Sequence, residues 1–280
     1  RRRKNKENFM RIGLAQMDIL WENVQKNMEK AENFIEKAKE HEVELLIFPE
    51  MSLTGFSMNV EKTTADWQEQ VRFFREKSRD SGITLVFGYP VPVKKEELQR
   101  HPQWKRYQNR LAVAENGEIR MSYAKIHPFT FGQEGDYFQG GEEIVCMNWK
   151  DTVLGGFICY DLRFPEIFQI SSAQSEVLVI IANWPTARID DWDCLLKARA
   201  IENQAFVAGV NRVGEGGGIA YNGHSVLYSP RGRRLTHFSE EESLLIGDID
   251  PLQVRKCREV FPLKKDRRDD IYRKESLFTV

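Results

Sequence analysis

A cysteine, a lysine and two glutamates stand where apolar runs end or glycines bracket a loop in this 280-residue chain, and together they could perform acyl transfer through sulfur. Cys159 closes the run Leu154-Gly155-Gly156-Phe157-Ile158, and the polar turn Tyr160-Asp161-Leu162-Arg163 leads from it into a helix-like segment. A strand that stops at a thiol presents sulfur at the carboxyl edge of an open α/β sheet, where such sheets build their sites. The arrangement has the pattern of a nucleophile elbow with cysteine in place of serine. A buried structural cysteine is the plain alternative, and the neighbouring charges decide between them.

Glu50 follows the strand-like Glu44-Leu45-Leu46-Ile47-Phe48-Pro49. A carboxyl at the end of an apolar strand is expected in a low-dielectric pocket that raises its pKa toward neutrality, which suits general-base work. Lys125 lies in Tyr123-Ala124-Lys125-Ile126-His127. Beside a thiol its ammonium is expected to lower the sulfur's pKa and to donate to a developing oxyanion. Glu134 sits between Gly132 and Gly135 on a loop. A solvated lysine and surface carboxylates are the alternatives at these positions.

Positioning such groups needs strands, and the chain supplies them. Apolar runs over about 10–17, 44–50, 83–89, 177–182, 205–211, 223–229 and 243–248 read as strands. Helices are expected over about 23–40, 64–80, 165–173 and 191–203. Asn116-Gly117 marks a hairpin between strands over about 107–114 and 117–123. Helices interposed between buried strands point to an α/β layered fold with antiparallel strands mixed in. Residues 1–8 are expected as a frayed basic terminus, 9–250 as one catalytic domain, and 251–280 as a less compact extension packing at a subunit interface.

The composition is 41% apolar and 30% charged, with a formal net charge of −1. That balance favours neither nucleic acid nor an anionic membrane. No apolar run approaches the ~18 residues that would span a bilayer. Four cysteines without a CxxC pair suit a reducing, cytoplasmic setting. The five histidines form no metal spacing, so no metal and no cofactor is expected. His127 and His224 remain candidates for a cysteine–histidine dyad. The glycines of 214–218 lack a phosphate-loop ending and read as a flexible turn between strands. Trp184 and Trp192 fit either a pocket wall or the core; Trp184 is taken as a substrate-side wall residue, with core as the plainer reading of both.

Phe48-Pro49-Glu50-Met51-Ser52-Leu53-Thr54-Gly55, Tyr123-Ala124-Lys125-Ile126-His127 and Cys159-Tyr160-Asp161-Leu162-Arg163-Phe164-Pro165-Glu166 resemble, in order and spacing, the nitrilase superfamily of carbon–nitrogen hydrolases. Asn183-Trp184-Pro185-Thr186-Ala187-Arg188 and Ala198-Arg199-Ala200-Ile201-Glu202-Asn203-Gln204 extend the likeness. The resemblance implies a four-layer αββα sandwich that forms a homodimer or larger homo-oligomer. It implies Cys159 as nucleophile, Glu50 as general base, Lys125 and the backbone N–H of Tyr160 as oxyanion donors, and Glu134 as the second acid. Cys-Tyr-Asp in place of Cys-Trp-Glu is similar to the amidase branches, and the continuation most resembles the ω-amidases, which deamidate α-keto acid ω-amides. Such a substrate carries a carboxylate, so Arg163 is the candidate to bind it, with an ion pair to Glu166 as its structural alternative. Hydrolysis of N-carbamoyl compounds or other linear amides on the same scaffold is the alternative activity, and a non-catalytic interaction protein a third reading. Loops over 59–66 and 90–106 are expected to set specificity.

Overall fold

The computed structural model describes residues 9–272; the basic terminus of residues 1–8 lies outside them. Thirteen strands are present among the described residues: β1 (Met10–Gln16), β2 (Leu45–Ile47), β3 (Thr84–Pro92), β4 (Tyr107–Glu115), β5 (Glu118–Ala124), β6 (Cys146–Trp149), β7 (Thr152–Ile158), β8 (Val177–Ala182), β9 (Phe206–Asn211), β10 (Val213–Gly216), β11 (Ile219–Asn222), β12 (Val226–Tyr228) and β13 (Ser243–Ile249). They form a six-stranded sheet, β13-β1-β2-β3-β4-β5, a five-stranded sheet, β12-β9-β8-β7-β6, and a separate β10-β11 ribbon.

Alternation within the strands explains the layering. Ile12, Leu14, Ile47, Val86, Leu111 and Val113 of the first sheet meet Ile158, Val179 and Ile181 of the second in one buried core. The intervening residues Leu46, Leu85, Phe87 and Ala112 face outward, onto Phe34 and Ile35 of the helix Val24–Glu40 and Phe74 of the helix Trp67–Ser81. On the far side of the second sheet, Phe168 and Leu196 belong to the helices Pro165–Ser171 and Ile189–Asn203. Helix, sheet, sheet, helix is the αββα sandwich.

Two glycines in β7 make the close packing around the thiol's strand achievable. A Cβ on Gly155 would meet Ser171 Oγ at 2.5 Å, and one on Gly156 would meet Met121 Cε at 2.9 Å. The hairpin forms at Asn116-Gly117, whose φ angles of 51° and 85° are the positive values that a two-residue primed turn requires. Strand β2 is shorter than its apolar run, because the chain leaves the sheet at Phe48-Pro49 and turns through Met51 (φ 45°). Strands β6, β10 and β11 have no counterpart in the sequence reading. The turn expected over 214–218 is narrower than that: Gly214 and Gly216 lie within β10, and Gly217 and Gly218 close the β10-β11 ribbon.

After Pro251 the chain forms a helix, Leu252–Val260, which docks on its own domain rather than standing away from it. Val254 is fully buried, Arg255 pairs with Glu176 at 3.0 Å, and Arg258 donates to the Ser175 carbonyl at 2.9 Å. Burying Val254 against the second sheet is what the run of charges in this segment concealed. No helix among the described residues is long and apolar enough to cross a membrane.

Candidate active site

The site sits at the carboxyl ends of β2, β7 and β8, with β4 and β5 supplying its floor. Glu50 lies in the turn after β2. That turn is stitched to β3: Gly88 N–H donates to Ser52 Oγ, and Ser52 N–H donates to the Gly88 carbonyl, both at 2.9 Å. A Cβ on Gly88 would lie 2.5 Å from Met51 N and 2.9 Å from Glu50 Cα. Backbone cannot yield as a side-chain tip can, so Gly88→Ala is expected to cost about 2–3 kcal/mol and to displace Glu50. Urea unfolding checks the first effect and steady-state turnover the second.

Glu50, Lys125 and Glu134 are brought together, and all are buried. Lys125 Nζ donates to Glu50 Oε1 at 3.0 Å and to Glu134 Oε2 at 2.8 Å. The Asn109 side-chain amide spans the same carboxylates, donating to Glu50 Oε1 at 2.7 Å and Glu134 Oε1 at 2.8 Å. The backbone N–H of Phe129 donates to Glu134 Oε2 at 2.6 Å, and that of Asn183 to Glu50 Oε2 at 2.9 Å. Donors surround both acids, which is what lets carboxylates survive burial.

Burial opposes the Lys125 charge, but Glu134 and Glu50 overcome it and raise its pKa. The lysine therefore holds its proton. Burial raises the pKa of Glu134, with the Glu50 charge adding and Lys125 opposing.

Cys159 follows β7 at φ 46°, a left-handed conformation that a non-glycine residue adopts at a cost. The 3₁₀ turn Cys159–Arg163 and the helix Pro165–Ser171 come next, so the elbow expected from the sequence is present. Asp161 secures it. Its Oδ2 accepts from Ile158 N–H at 3.0 Å and Tyr123 Oη at 2.7 Å, while its Oδ1 accepts from His127 N–H at 3.0 Å. The sulfur lies 4.0 Å from the Asn183 carbonyl oxygen.

Burial raises the thiol's pKa, the Glu50 and Glu134 charges add to that, and Lys125 works against it. The downward pull expected of Lys125 is thus present, but it does not set the net shift. The lysine pulls in the stated direction, but burial and two nearby acids outweigh it.

A cavity of about 310 Å³ opens over the sulfur. Cys159, Tyr160, Arg163 and Trp184 all line it. Trp184 is only 3% exposed and packs against Trp192 with ring centroids 5.5 Å apart, so it is both wall and core. Arg163 pairs with Asp191 at 2.8 Å rather than with Glu166, because the 3₁₀ turn takes it off the helix face that an i,i+3 pair would need. The specificity loops expected over 59–66 and 90–106 do not line the cavity. Its remaining walls come from Trp21, Phe56, Met58, the 129–133 loop and the β10-β11 ribbon.

Neither histidine stands ready as a partner for the thiol. His127 stacks on Phe164 at 3.7 Å and bonds Asp161, while His224 is held between Asp193 and Glu240.

The family model for carbon–nitrogen hydrolases matches residues 11–259. The chain belongs to the carbon–nitrogen hydrolase family. A 2-oxoglutaramate amidase of Bacillus subtilis is 33% identical over 93% of this chain and 98% of its own. An omega-amidase of Escherichia coli is 27% identical over 92% of this chain and 96% of its own. Among solved structures, a CN-hydrolase superfamily protein from Xanthomonas campestris with an arsenic adduct in its active site superposes with a TM-score of 0.84. It is 29% identical, covering 94% of this chain and 98% of the other. A Nesterenkonia amidase variant with an acetamide moiety bound covalently to its active-site cysteine superposes at 0.83 and 25% identity, covering 96% of this carbon–nitrogen hydrolase and 97% of its own chain. This member of the family is thus an amidase-type enzyme acting on non-peptide carbon–nitrogen bonds.

Three residues that hold the site together received no role from the sequence. Asn109 is a buried amide within β4, Asn183 caps the all-apolar β8, and Asp161 sits two residues past the thiol. The available signal was a polar side chain inside or directly after an apolar strand.

Proposed function

We propose that this carbon–nitrogen hydrolase removes the terminal amide of a small carboxylate-bearing substrate, an α-keto acid ω-amide such as α-ketoglutaramate, through a thioester on Cys159. One observation carries the choice of substrate: among the described residues the cavity above the thiol is lined by Arg163 and Arg188 and by no acid. Such a cavity favours an anion. The names of the Bacillus and Escherichia relatives support the same class.

In this reading Glu50 takes the thiol proton as sulfur attacks the amide carbon. A thiol held above its ordinary pKa stays protonated at rest, so a base beside it is needed at the moment of attack. Lys125 spends two protons on Glu50 and Glu134 and has a third for the tetrahedral oxyanion, together with the backbone N–H of Tyr160. Glu134 and Asn109 fix the lysine and Glu50 in place. Ammonia departs with the proton returned from Glu50, leaving the thioester. Water activated by Glu50 then releases the acid and restores the thiol. Arg163 and Arg188 line the cavity that takes the substrate carboxylate, and Trp184 supplies a wall.

No metal or cofactor takes part in these steps, and the setting proposed is the cytoplasm. A homodimer or larger assembly is part of the proposal. Ile170 and Phe261, 62% and 61% exposed on adjoining segments, support a face that a second copy would cover. Ammonia release from α-ketoglutaramate, α-ketosuccinamate, glutamine, asparagine, N-carbamoyl amino acids, neutral aliphatic amides and nitriles tests the substrate. The keto ω-amides are expected to exceed neutral amides by about 100-fold in kcat/KM. Turnover of a carbamoyl compound with none of either keto amide would replace this reading with the N-carbamoyl hydrolase.

A further inference from the structure

The two guanidinium groups over the thiol are not equivalent. Arg163 donates to Asp191 at 2.8 Å and lies over the Trp184 ring, 4.8 Å from its centroid. A carboxylate of the protein already answers its charge. Arg188 has no such partner among the described residues: its guanidinium carbon lies over the Phe129 ring, 5.4 Å from the centroid.

Its backbone is well fixed. The N–H of Arg188 donates to the Pro185 carbonyl at 3.0 Å, and its carbonyl accepts from Trp184 Nε1 at 2.7 Å. The Arg188 charge also reaches Tyr221 of β11, which feels Cys159 and Glu50 as well. Tyr221 thus lies within electrostatic range of both the thiol and the guanidinium. A half-buried arginine on an aromatic wall, without an acid, offers a planar fork to a carboxylate.

We propose that Arg188 is the anchor for the substrate's carboxylate, and that Arg163, paired with Asp191, serves to hold the Trp184 wall. The cavity then selects compounds with a planar anionic group remote from the reacting carbon. This assignment deepens the ω-amidase reading and, for its role in turnover, rests on it.

Glutarate, which carries the anion without a cleavable amide, tests the anchor apart from turnover. It is expected to protect Cys159 from iodoacetamide in the parent protein. Arg188→Gln should raise the protecting concentration about 30-fold, a loss typical of a charge-assisted hydrogen bond. Arg188→Met keeps the stem against Phe129 and should shift it the same way. Arg163→Gln should shift it by a smaller factor.

The unprotected alkylation rate of each variant provides an internal reference for a folded site. Three results would each overturn the assignment: no protection of the parent protein, unchanged protection in both Arg188 variants, or a larger shift in Arg163→Gln. Failure of the functional reading looks different. Glutarate would then protect through Arg188 while no keto ω-amide is turned over.

Discussion

Cys159→Ala protein is expected to fold as the parent does and to lose amide turnover by a factor on the order of 10⁵ or more, as removal of a nucleophile does elsewhere. The expectation of normal folding has a structural basis. Alanine carries the same Cβ as cysteine, so the φ of 46° costs both residues alike. Among the described residues the sulfur's one hydrogen-bond contact is 4.0 Å long, to the Asn183 carbonyl, so little is lost with it. The Asp161 bonds that secure the elbow all run through backbone or other side chains and remain intact. Circular dichroism and thermal melting check the fold, and ammonia release checks the rate. Turnover that survived the substitution would remove the thiol from the reaction.

Glu50→Gln has a nearly isosteric side chain but reverses part of the bonding. Both Glu50 oxygens accept: Oε1 from Asn109 and Lys125, Oε2 from the Asn183 backbone N–H at 2.9 Å and its side-chain amide at 3.4 Å. A glutamine must point an NH₂ group at one of these donor pairs, which leaves donors facing donors in a buried site. The expected loss of stability is about 1–3 kcal/mol, measurable by urea unfolding. The loss of kcat is expected to be larger, about 10³- to 10⁴-fold, because no group remains to take the thiol proton. Near-parental kcat in a folded variant would assign the base elsewhere.

The charged members of the site were legible because each interrupts a regular pattern. Glu50, Lys125 and Cys159 come after strand-like runs, and the sequence order of those breaks is all that a motif requires. The layered fold was legible for the same reason, since β8 and β9 are continuous apolar runs that only burial on both faces explains. What escaped depends on contacts between distant residues. Asn183 meets Glu50 across 133 positions, and Asn109 meets it across 59. Nothing local to either asparagine records that bond.

The sign of the Cys159 shift escaped for a related reason. Placing a lysine near the sulfur follows from the motifs, whereas weighing it against burial and two acids needs their positions. The far wall of the cavity was hidden in the glycines of 214–218. Two of them, Gly217 and Gly218, close the β10-β11 ribbon, whose Ile219 and Tyr221 line the cavity. Arg188 stood within a quoted motif but drew no role, because only the structure shows that Asp191 pairs with Arg163 instead.

Rapid acid quenching of the parent protein during turnover of α-ketoglutaramate, followed by mass analysis of its peptides, addresses the covalent step itself. The expected result is an acyl adduct, the substrate less ammonia, on the peptide bearing Cys159, with hydroxylamine diverting that acyl group to a hydroxamate. Continued ammonia release with that peptide always unmodified and no hydroxamate formed would contradict a thioester at this cysteine.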